Sequence, residues 1–565
     1  MLQQSVALIA EVLYQKGIKN IIISPGSRSA PVTLAVVRHP GIRTFVVLDE
    51  RSAGYIGLGM AQSLNQPVGL VCTSGTAALN FHPAVSEAYY LQVPLIVLTA
   101  DRPPEWIDQN DGQTIHQEAI FLNHIKRFYT YPLEFKFADA RWHCERILSE
   151  AVNLSMDFPA GPVHINLPFR EPLYPSSKDE PGIVSPKRII SKIKTHSSIP
   201  EVSLELLNKT WEKSTRVLIV GGQERLDTDL ISTMKRFVTK YNIPVIGDVI
   251  SNLSGLEENL ISLHDLFLNT RDGNLLESLK PDLLITFGKS ILSKNLKLFL
   301  RKFKPGRHWH LQPAGYVSDT FQSLTHQIPV DPKLFFDTAF KIFRPTNERQ
   351  AYLNKWNALE NFTRKYLHSF FPAKQFSELE AVGIILQRLP ENINLHLANS
   401  MPVRLVNYFG KLKIRVEVFA NRGTSGIDGC VSSAVGAALQ SSIQNILITG
   451  DMSFFYDRNA FWHRHIPDNL RILVLNNHGG GIFRMIDGPS SLPEFETYFE
   501  TNQPLIAENL AKEYNFEYRF CDEREGLDNY LKTFFNPGKS VKILEIQTDN
   551  KTNKTIFDQF KSQFY

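Results

Sequence analysis

The sequence predicts an α/β protein of three doubly wound, mainly parallel-sheet domains, and three observations carry that expectation. At 565 residues the chain exceeds what one core can hold, and at about 100–200 residues per domain it divides into three or four. Short runs of Ile, Val and Leu recur in three series with stretches of helical period between them. Strands that alternate with helices form parallel sheets covered on both faces. Finally, the stretch from Pro168 to about Pro200 is rich in Pro, Ser and Lys, as an exposed linker would be.

The first series runs Asn20–Ser24, Thr44–Leu48, Val68–Cys72, Leu95–Thr99 and Val163–Leu167. The second comprises Arg216–Val220, Ile243–Gly247, Asp282–Thr286 and His308–Leu311, and closes around Phe343–Thr346. The third holds Ile393–Leu397, Val416–Ala420, Ile446–Thr449, Ile472–Leu475 and Val541–Ile546. Domains are accordingly expected over 1–180, 198–346 and 370–565.

Composition excludes several classes. With 43% hydrophobic and 21% charged residues the chain is ordinary globular material. The 61 Lys+Arg against 57 Asp+Glu leave a net charge of +4 over the whole length, too dilute to attract nucleic acid. Four scattered cysteines form no CxxC pair, so neither a zinc site nor a disulfide framework is signalled, and a cytoplasmic location is expected. The opening residues, with Glu11 inside the apolar stretch, read as an amphipathic helix rather than a signal peptide. No run reaches about 18 apolar residues, so no membrane span is expected.

The chemistry lies at the strand ends. Gly450-Asp451-Met452-Ser453 directly follows one predicted strand and Asn476-Asn477-His478-Gly479 the next. Residues just past the carboxyl ends of neighbouring parallel strands converge on one crevice. A carboxylate, an amide oxygen and the Gly479 carbonyl are hard donors that suit Mg²⁺, although each dipeptide by itself also suits a turn. In the first series, Ser24–Ser29, Asp49-Glu50-Arg51, Thr73–Thr76 and Ala100–Pro104 follow four successive strands with small, polar or charged residues.

Together these motifs resemble the thiamine-diphosphate enzymes. Within that superfamily SPGSRSAP, LDERSAGY, TSGTAALN and TADRPPE, with Asn399–Arg404 and Asn421–Asp428, are similar to the menaquinone-pathway carboligases, the SEPHCHC synthase (MenD) family. The resemblance implies the thiamine-diphosphate-binding fold: an N-terminal pyrimidine-binding domain, a central transhydrogenase-like domain and a C-terminal diphosphate-binding domain. It implies thiamine diphosphate and Mg²⁺, or Mn²⁺, as cofactors, and 2-oxoglutarate and isochorismate as substrates of a decarboxylating C–C ligation. Glu50 would be the catalytic carboxylate at the aminopyrimidine N1′, and Ile427 the apolar wedge that bends the cofactor. Asp451, Asn477 and Gly479 would hold the metal, while Asn399, Ser400, Ser425 and Ser453 would bond the diphosphate.

Four arginines in the motif loops, Arg28, Arg102, Arg404 and Arg422, would bind substrate carboxylates as planar bidentate donors. Ser27, Gln113 and the apolar Ile482, Phe483 and Ile486 complete the implied pocket. The family's middle-domain Lys-Arg pair aligns with Lys294-Asn295, so Lys294 is carried over and its Arg partner is missing. Because Glu50 and the metal motif lie in different domains, the resemblance implies a homodimer or homotetramer with sites between subunits. Two other readings stay open on the sequence: a different thiamine-diphosphate ligase or decarboxylase, although the chain lacks the adjacent His-His pair of many decarboxylases, and a non-catalytic nucleotide-binding protein.

Overall fold

The computed structural model describes residues 2–135, 137–174, 184–193, 195, 197–371, 375–486 and 488–564. Residue 180, the expected end of the first domain, lies outside them, as do the termini 1 and 565 and part of the expected linker. The strands of the described residues form three six-stranded sheets, and every pairing in them is parallel.

The first sheet contains β1 (Asn20–Ile23), β2 (Arg43–Val46), β3 (Val68–Cys72), β4 (Leu95–Asp101), β5 (Phe128–Thr130) and β6 (Val163–Pro168), in the order β2-β1-β3-β4-β6-β5. Helix α1 (Glu50–Leu64) follows β2, and α2 (His82–Leu91) precedes β4. The second sheet contains β7 (Val217–Gly221), β8 (Val245–Gly247), β9 (Leu260–Ile261), β10 (Leu283–Phe287), β11 (Arg307–Leu311) and β12 (His326–Ile328), in the order β12-β11-β10-β7-β8-β9. Helix α3 (Lys294–Lys302) crosses from β10 to β11.

In the third, helix α4 (Glu378–Arg388) leads to β13 (Ile393–Leu397), α5 (Met401–Asn407), β14 (Val416–Phe419), α6 (Cys430–Gln440), β15 (Gln444–Gly450), α7 (Asp451–Tyr456), β16 (Leu470–Asn476), α8 (Ile482–Met485), β17 (Glu517–Cys521) and β18 (Lys542–Gln547). Its order is β14-β13-β15-β16-β18-β17.

Central strands are legible as apolar runs because both of their faces are covered: β3, β4, β7, β10, β13 and β16 are buried at every position. The sequence offered no such run for β5, β9, β12 or β17, all of which lie at sheet edges. There β17 leaves four of its five residues at least partly exposed and β9 has only two residues.

The first and third sheets join directly through α1 and α6. A Cβ at Gly59 would stand 1.9 Å from the Ser433 carbonyl oxygen, and one at Gly436 would stand 2.0 Å from that of Ile56. Only glycine permits that backbone approach. The four cysteines are buried and unpaired, and among the described residues no helix is long and apolar enough to cross a membrane.

His164 on β6 illustrates how the sheet sandwich treats polar groups. It is fully buried between the rings of Phe121 and Phe128, with Nε2 bonded to Thr99 Oγ1 at 2.6 Å. Burial lowers its pKa to about 3, so the folded ring is neutral while the unfolded one titrates near pH 6.5. This contribution is intact above about pH 6.5 and diminishes as the pH falls toward the folded value. A His164→Phe variant removes the titration. Denaturant titrations at pH 7 and pH 5 should therefore show the wild type losing about 2 kcal/mol relative to the variant at the lower pH; equal losses would refute the assignment.

Candidate functional site

In the third sheet the strand order reverses between β13 and β15, a position at which open α/β sheets bind ligands beyond the carboxyl ends of their strands. Asn399 follows β13 and is buried. Its amide nitrogen donates to the carbonyls of Asn421 and Gly426, both at 2.6 Å, and its Oδ1 accepts from Arg422 Nη1 at 2.9 Å. Ser453 Oγ donates to the Ile427 carbonyl at 2.6 Å. Both side chains thus build the 421–428 loop, donating to its backbone carbonyls. Ser400 and Ser425 differ, having φ of 73° and 66°, a strained region for serine. No hydrogen bond engages their hydroxyls among the described residues.

Asp451 opens α7 and is buried. Its Oδ2 accepts from Gln503 Nε2 at 2.7 Å. Burial pushes its pKa up to about 6, against the pull of that bond and of the Met452 and Gly479 amides. Asn477, just past β16, donates from Nδ2 to Glu378 Oε1 at 2.7 Å, while its Oδ1 accepts the Gly479 N–H at 3.1 Å. The Glu378 contact fixes which way the amide is turned.

Glu378 itself is pushed up to about 8 by burial, with the Asp451 charge adding to the rise. Sequence reasoning missed it, because an acid after Ser377 reads only as the first turn of a capped helix. Among the described residues no three His, Cys, Asp or Glu side chains group to hold a metal. A cation here would take the Asp451 carboxylate, the Asn477 amide oxygen, a backbone carbonyl and phosphate oxygens. That all-oxygen set fits Mg²⁺.

At the N-terminal crevice Glu50 begins α1, where Asp49 caps the helix by accepting from the amides of Arg51 at 2.9 Å and Ser52 at 3.3 Å. Glu50 is half-buried; burial, then the Asp49 charge, raises its pKa. Its charge is felt by Cys72 at the end of β3. The hydroxyls of Ser24, Thr73 and Ser74, buried at the ends of β1 and β3, have no partner among the described residues. Orphaned hydroxyls at the ends of β1 and β3, with a carboxyl of raised pKa after β2, fit a polar heteroaromatic ring.

Arg102 donates to the Gly112 carbonyl at 2.9 Å and pairs with Asp111 at 3.3 Å, which sets it against the segment holding Gln113. Ser27 and Gln113 are exposed. Arg28 is buried and donates to the Phe169 carbonyl at 3.1 Å.

Arg404 donates to the Ser400 carbonyl, and burial lowers the pKa of both Arg404 and Arg422, whose charges also repel. Lys294 is exposed at the start of α3, and Asn295 is tied to the Asp265 carbonyl at 2.7 Å. One turn on, Lys297 is half-buried, and its pKa is lowered by burial and by the charges of Arg422, Arg301 and Arg404. Lys297, unnoticed in the sequence, is a middle-domain lysine whose charge interacts with those of Arg422 and Arg404. Phe483 and Ile486 are exposed at 36% and 46%, unlike core residues, whereas Ile482 packs against the large core. Short helical turns follow β16 at Ile482–Met485, Pro489–Ser491 and Glu496–Glu500.

The structure therefore gathers Asp451, Asn477, Gly479 and Glu378 at one place, and Asn399, Arg422, Ile427 and Ser453 around one loop. Among the described residues no hydrogen bond or ion pair joins Glu50 to either group.

Comparison with known proteins agrees with this fold. A family model described as "Thiamine pyrophosphate enzyme, N-terminal TPP binding domain" matches residues 4–120, and one described as "Middle domain of thiamine pyrophosphate" matches residues 191–397. The chain is similar to a 2-succinyl-5-enolpyruvyl-6-hydroxy-3-cyclohexene-1-carboxylate synthase of Cytophaga hutchinsonii, 44% identical over 99% of this chain and 98% of the relative. Those of Porphyromonas gingivalis, at 36% over 99% and 96%, and Flavobacterium johnsoniae, at 38% over 98% and 97%, bear the same description. With three parallel α/β sheets and near full-length identity of this order, the chain belongs to the 2-succinyl-5-enolpyruvyl-6-hydroxy-3-cyclohexene-1-carboxylate (SEPHCHC) synthase family of thiamine pyrophosphate enzymes.

Proposed function

We propose that the protein is a thiamine-diphosphate- and Mg²⁺-dependent cytoplasmic synthase of menaquinone biosynthesis. It decarboxylates 2-oxoglutarate and adds the succinyl unit to isochorismate, releasing CO₂ and SEPHCHC. The observation that carries this reading is the combination, in one chain, of a half-buried carboxyl at the end of β2 and a carboxylate–amide pair at the ends of β15 and β16. A non-catalytic protein has no use for both.

Bound thiamine diphosphate would supply the electron sink for breaking and forming the C–C bonds. The protein's part is binding, orientation and one proton. Glu50 would hold that proton between its carboxylate and N1′ of the aminopyrimidine, a task helped by its raised pKa. Asp451, Asn477 Oδ1 and the Gly479 carbonyl would hold Mg²⁺, with Mn²⁺ acceptable to the same oxygens. The uncommitted hydroxyls of Ser400 and Ser425 are suited to phosphate oxygens, and Ile427 would press the rings into contact.

Both substrates are dicarboxylates. Arg28, Arg102, Arg404, Arg422 and Lys297 are the cations to receive them, with Ser27 and Gln113 as polar contacts. Ile482, Phe483 and Ile486 would form the apolar wall that excludes water. Glu50 and the metal group lie in different domains, and membership of this family favours a homodimer, or a homotetramer, with each site shared between subunits.

The direct test supplies thiamine diphosphate, Mg²⁺, 2-oxoglutarate and isochorismate and follows CO₂ and the succinyl adduct. Turnover of pyruvate in place of 2-oxoglutarate would favour another ligase or decarboxylase instead. Glu50→Gln should lower kcat by about 10²- to 10⁴-fold, the range of a lost acid–base group, while calorimetry still registers cofactor binding. Lys297→Met should raise KM for a dicarboxylate roughly tenfold or more, as expected for a lost charged contact, whereas Lys294→Met should leave it near the wild-type value. The opposite ranking would return the role to Lys294. A monomer fully active at high dilution would exclude the shared site.

A further inference from the structure

We infer that Glu87, a carboxylate buried on α2 of the N-terminal domain, is a positioning residue for the 421–428 loop, which carries Arg422 and Ile427. Glu87 is 1% exposed. Its Oε1 accepts the Gly423 N–H at 2.8 Å, and its Oε2 accepts the Thr424 N–H at 2.7 Å and the Thr424 hydroxyl at 2.5 Å. Burial, with the Asp428 charge, raises the Glu87 pKa, while the three donors converging on its two oxygens oppose that rise by favouring the ionised carboxylate; charge-assisted bonds of this kind are the strong ones. They reach from one domain to another, 336 and 337 positions along the chain.

The fit around Gly423 is equally tight. A Cβ there would lie 2.7 Å from the Glu87 carbonyl oxygen and 3.0 Å from the Leu91 amide nitrogen, so α2 and the loop meet backbone to backbone. On the far side, Tyr55 of α1 donates to Asp428 Oδ2 at 2.6 Å. The N-terminal domain thus pins the loop at both ends, at 423–424 and at 428. Between the pins, Ser425 is held at φ 66°, and Asn399 and Ser453 hold the carbonyls of Gly426 and Ile427 from below.

Arg422 directly precedes the first pin, and the Glu87 charge acts on its guanidinium. Displacing 423–424 would therefore move the substrate-facing arginine and the ring-facing isoleucine together. Glu87 acts through these residues and touches neither substrate nor cofactor. The inference rests on the roles proposed above for Arg422 and Ile427.

The test uses the full-length protein with thiamine diphosphate and Mg²⁺, and the variants Glu87→Gln, Glu87→Ala, Thr424→Val and the Glu87→Gln/Thr424→Val pair. Amide hydrogen exchange reports the anchoring without reference to any reaction. It should accelerate in 421–428 in the Glu87 variants and stay at wild-type rates in the three sheets. In steady-state assays Glu87→Ala should raise KM for 2-oxoglutarate and reduce kcat/KM on the order of 10²-fold, as small misplacements of binding groups do. Glu87→Gln, which keeps one acceptor, should fall between Glu87→Ala and wild type, and the double variant should show less than the sum of its parts. Wild-type exchange in 421–428, or acceleration spread evenly over all sheets with KM unchanged, would overturn the inference. If the wild type failed to make SEPHCHC, the proposed function would fall, while the exchange result would still decide whether Glu87 anchors the loop.

Discussion

The contact on which the rest of the molecule depends is the crossing of α1 and α6. Two glycines let the helices approach until side chains would occupy the positions of opposing carbonyl oxygens. Interiors packed to this density transmit displacement instead of absorbing it. The crossing therefore fixes how the first sheet's carboxyl edge sits against the third's. The polar contacts between the domains build on it: Asn459 donates to Asp49 at 2.7 Å, Arg51 to the Tyr456 carbonyl at 2.9 Å, and Tyr55 to Asp428. Asp49 in turn caps the helix that Glu50 begins. The position of the proposed proton-holding carboxyl is thus set by the same surface that orders the loop of the opposite domain.

Electrostatics divides the site into two regions with opposite needs. At the β15–β16 edge, burial raises Asp451 to about 6 and Glu378 to about 8, so a divalent cation beside Asp451 would restore the ionised form that desolvation disfavours. Around α3, α5 and the 421–428 loop the excess has the other sign. There burial and mutual repulsion lower the pKa of Arg422, and the same two effects act on Lys297. Desolvated cations held near one another are costly unless anions meet them. Two dicarboxylate substrates would supply those anions, and guanidinium groups keep their charge at any physiological pH. The chain's near-neutral total of +4 conceals this local separation.

How much of this was legible in the sequence follows from what each feature requires. Buried central strands betray themselves by composition, and residues at their carboxyl ends lie at the crevice by topology alone. Hence Asp451 and Asn477 could be singled out from position in the chain, while Glu50, Arg404 and Arg422 were singled out by the resemblance of their motifs to a known family. Edge strands such as β12 and β17 carry no such mark, because only part of their surface is covered. For Asn399 and Ser453 the structure adds acceptors that the sequence did not indicate, the carbonyls of the 421–428 loop. Which partner a short polar side chain finds is decided by the loop folded above it, and strand spacing does not specify that loop.

Lys297, Glu378 and Glu87 show the limit from another side. Each sits within a helix, where a charged residue ordinarily faces solvent, and nothing local distinguishes the inward-facing one. Lys294 and Lys297 differ by one helical turn; a tertiary contact decides between them, since Ser293 and Asn295 bind Asp265 and fix the rotation of α3. Glu87 requires a partner more than three hundred residues away. A domain that presents Glu50 at one strand end and Glu87 on a neighbouring helix can serve two places at once. In a shared-site dimer, its strand end would complete the partner's cofactor site while its helix orders the loop of its own chain. Loss of either contact would then disturb different sites by different routes, which makes subunit pairing and loop geometry parts of one constraint.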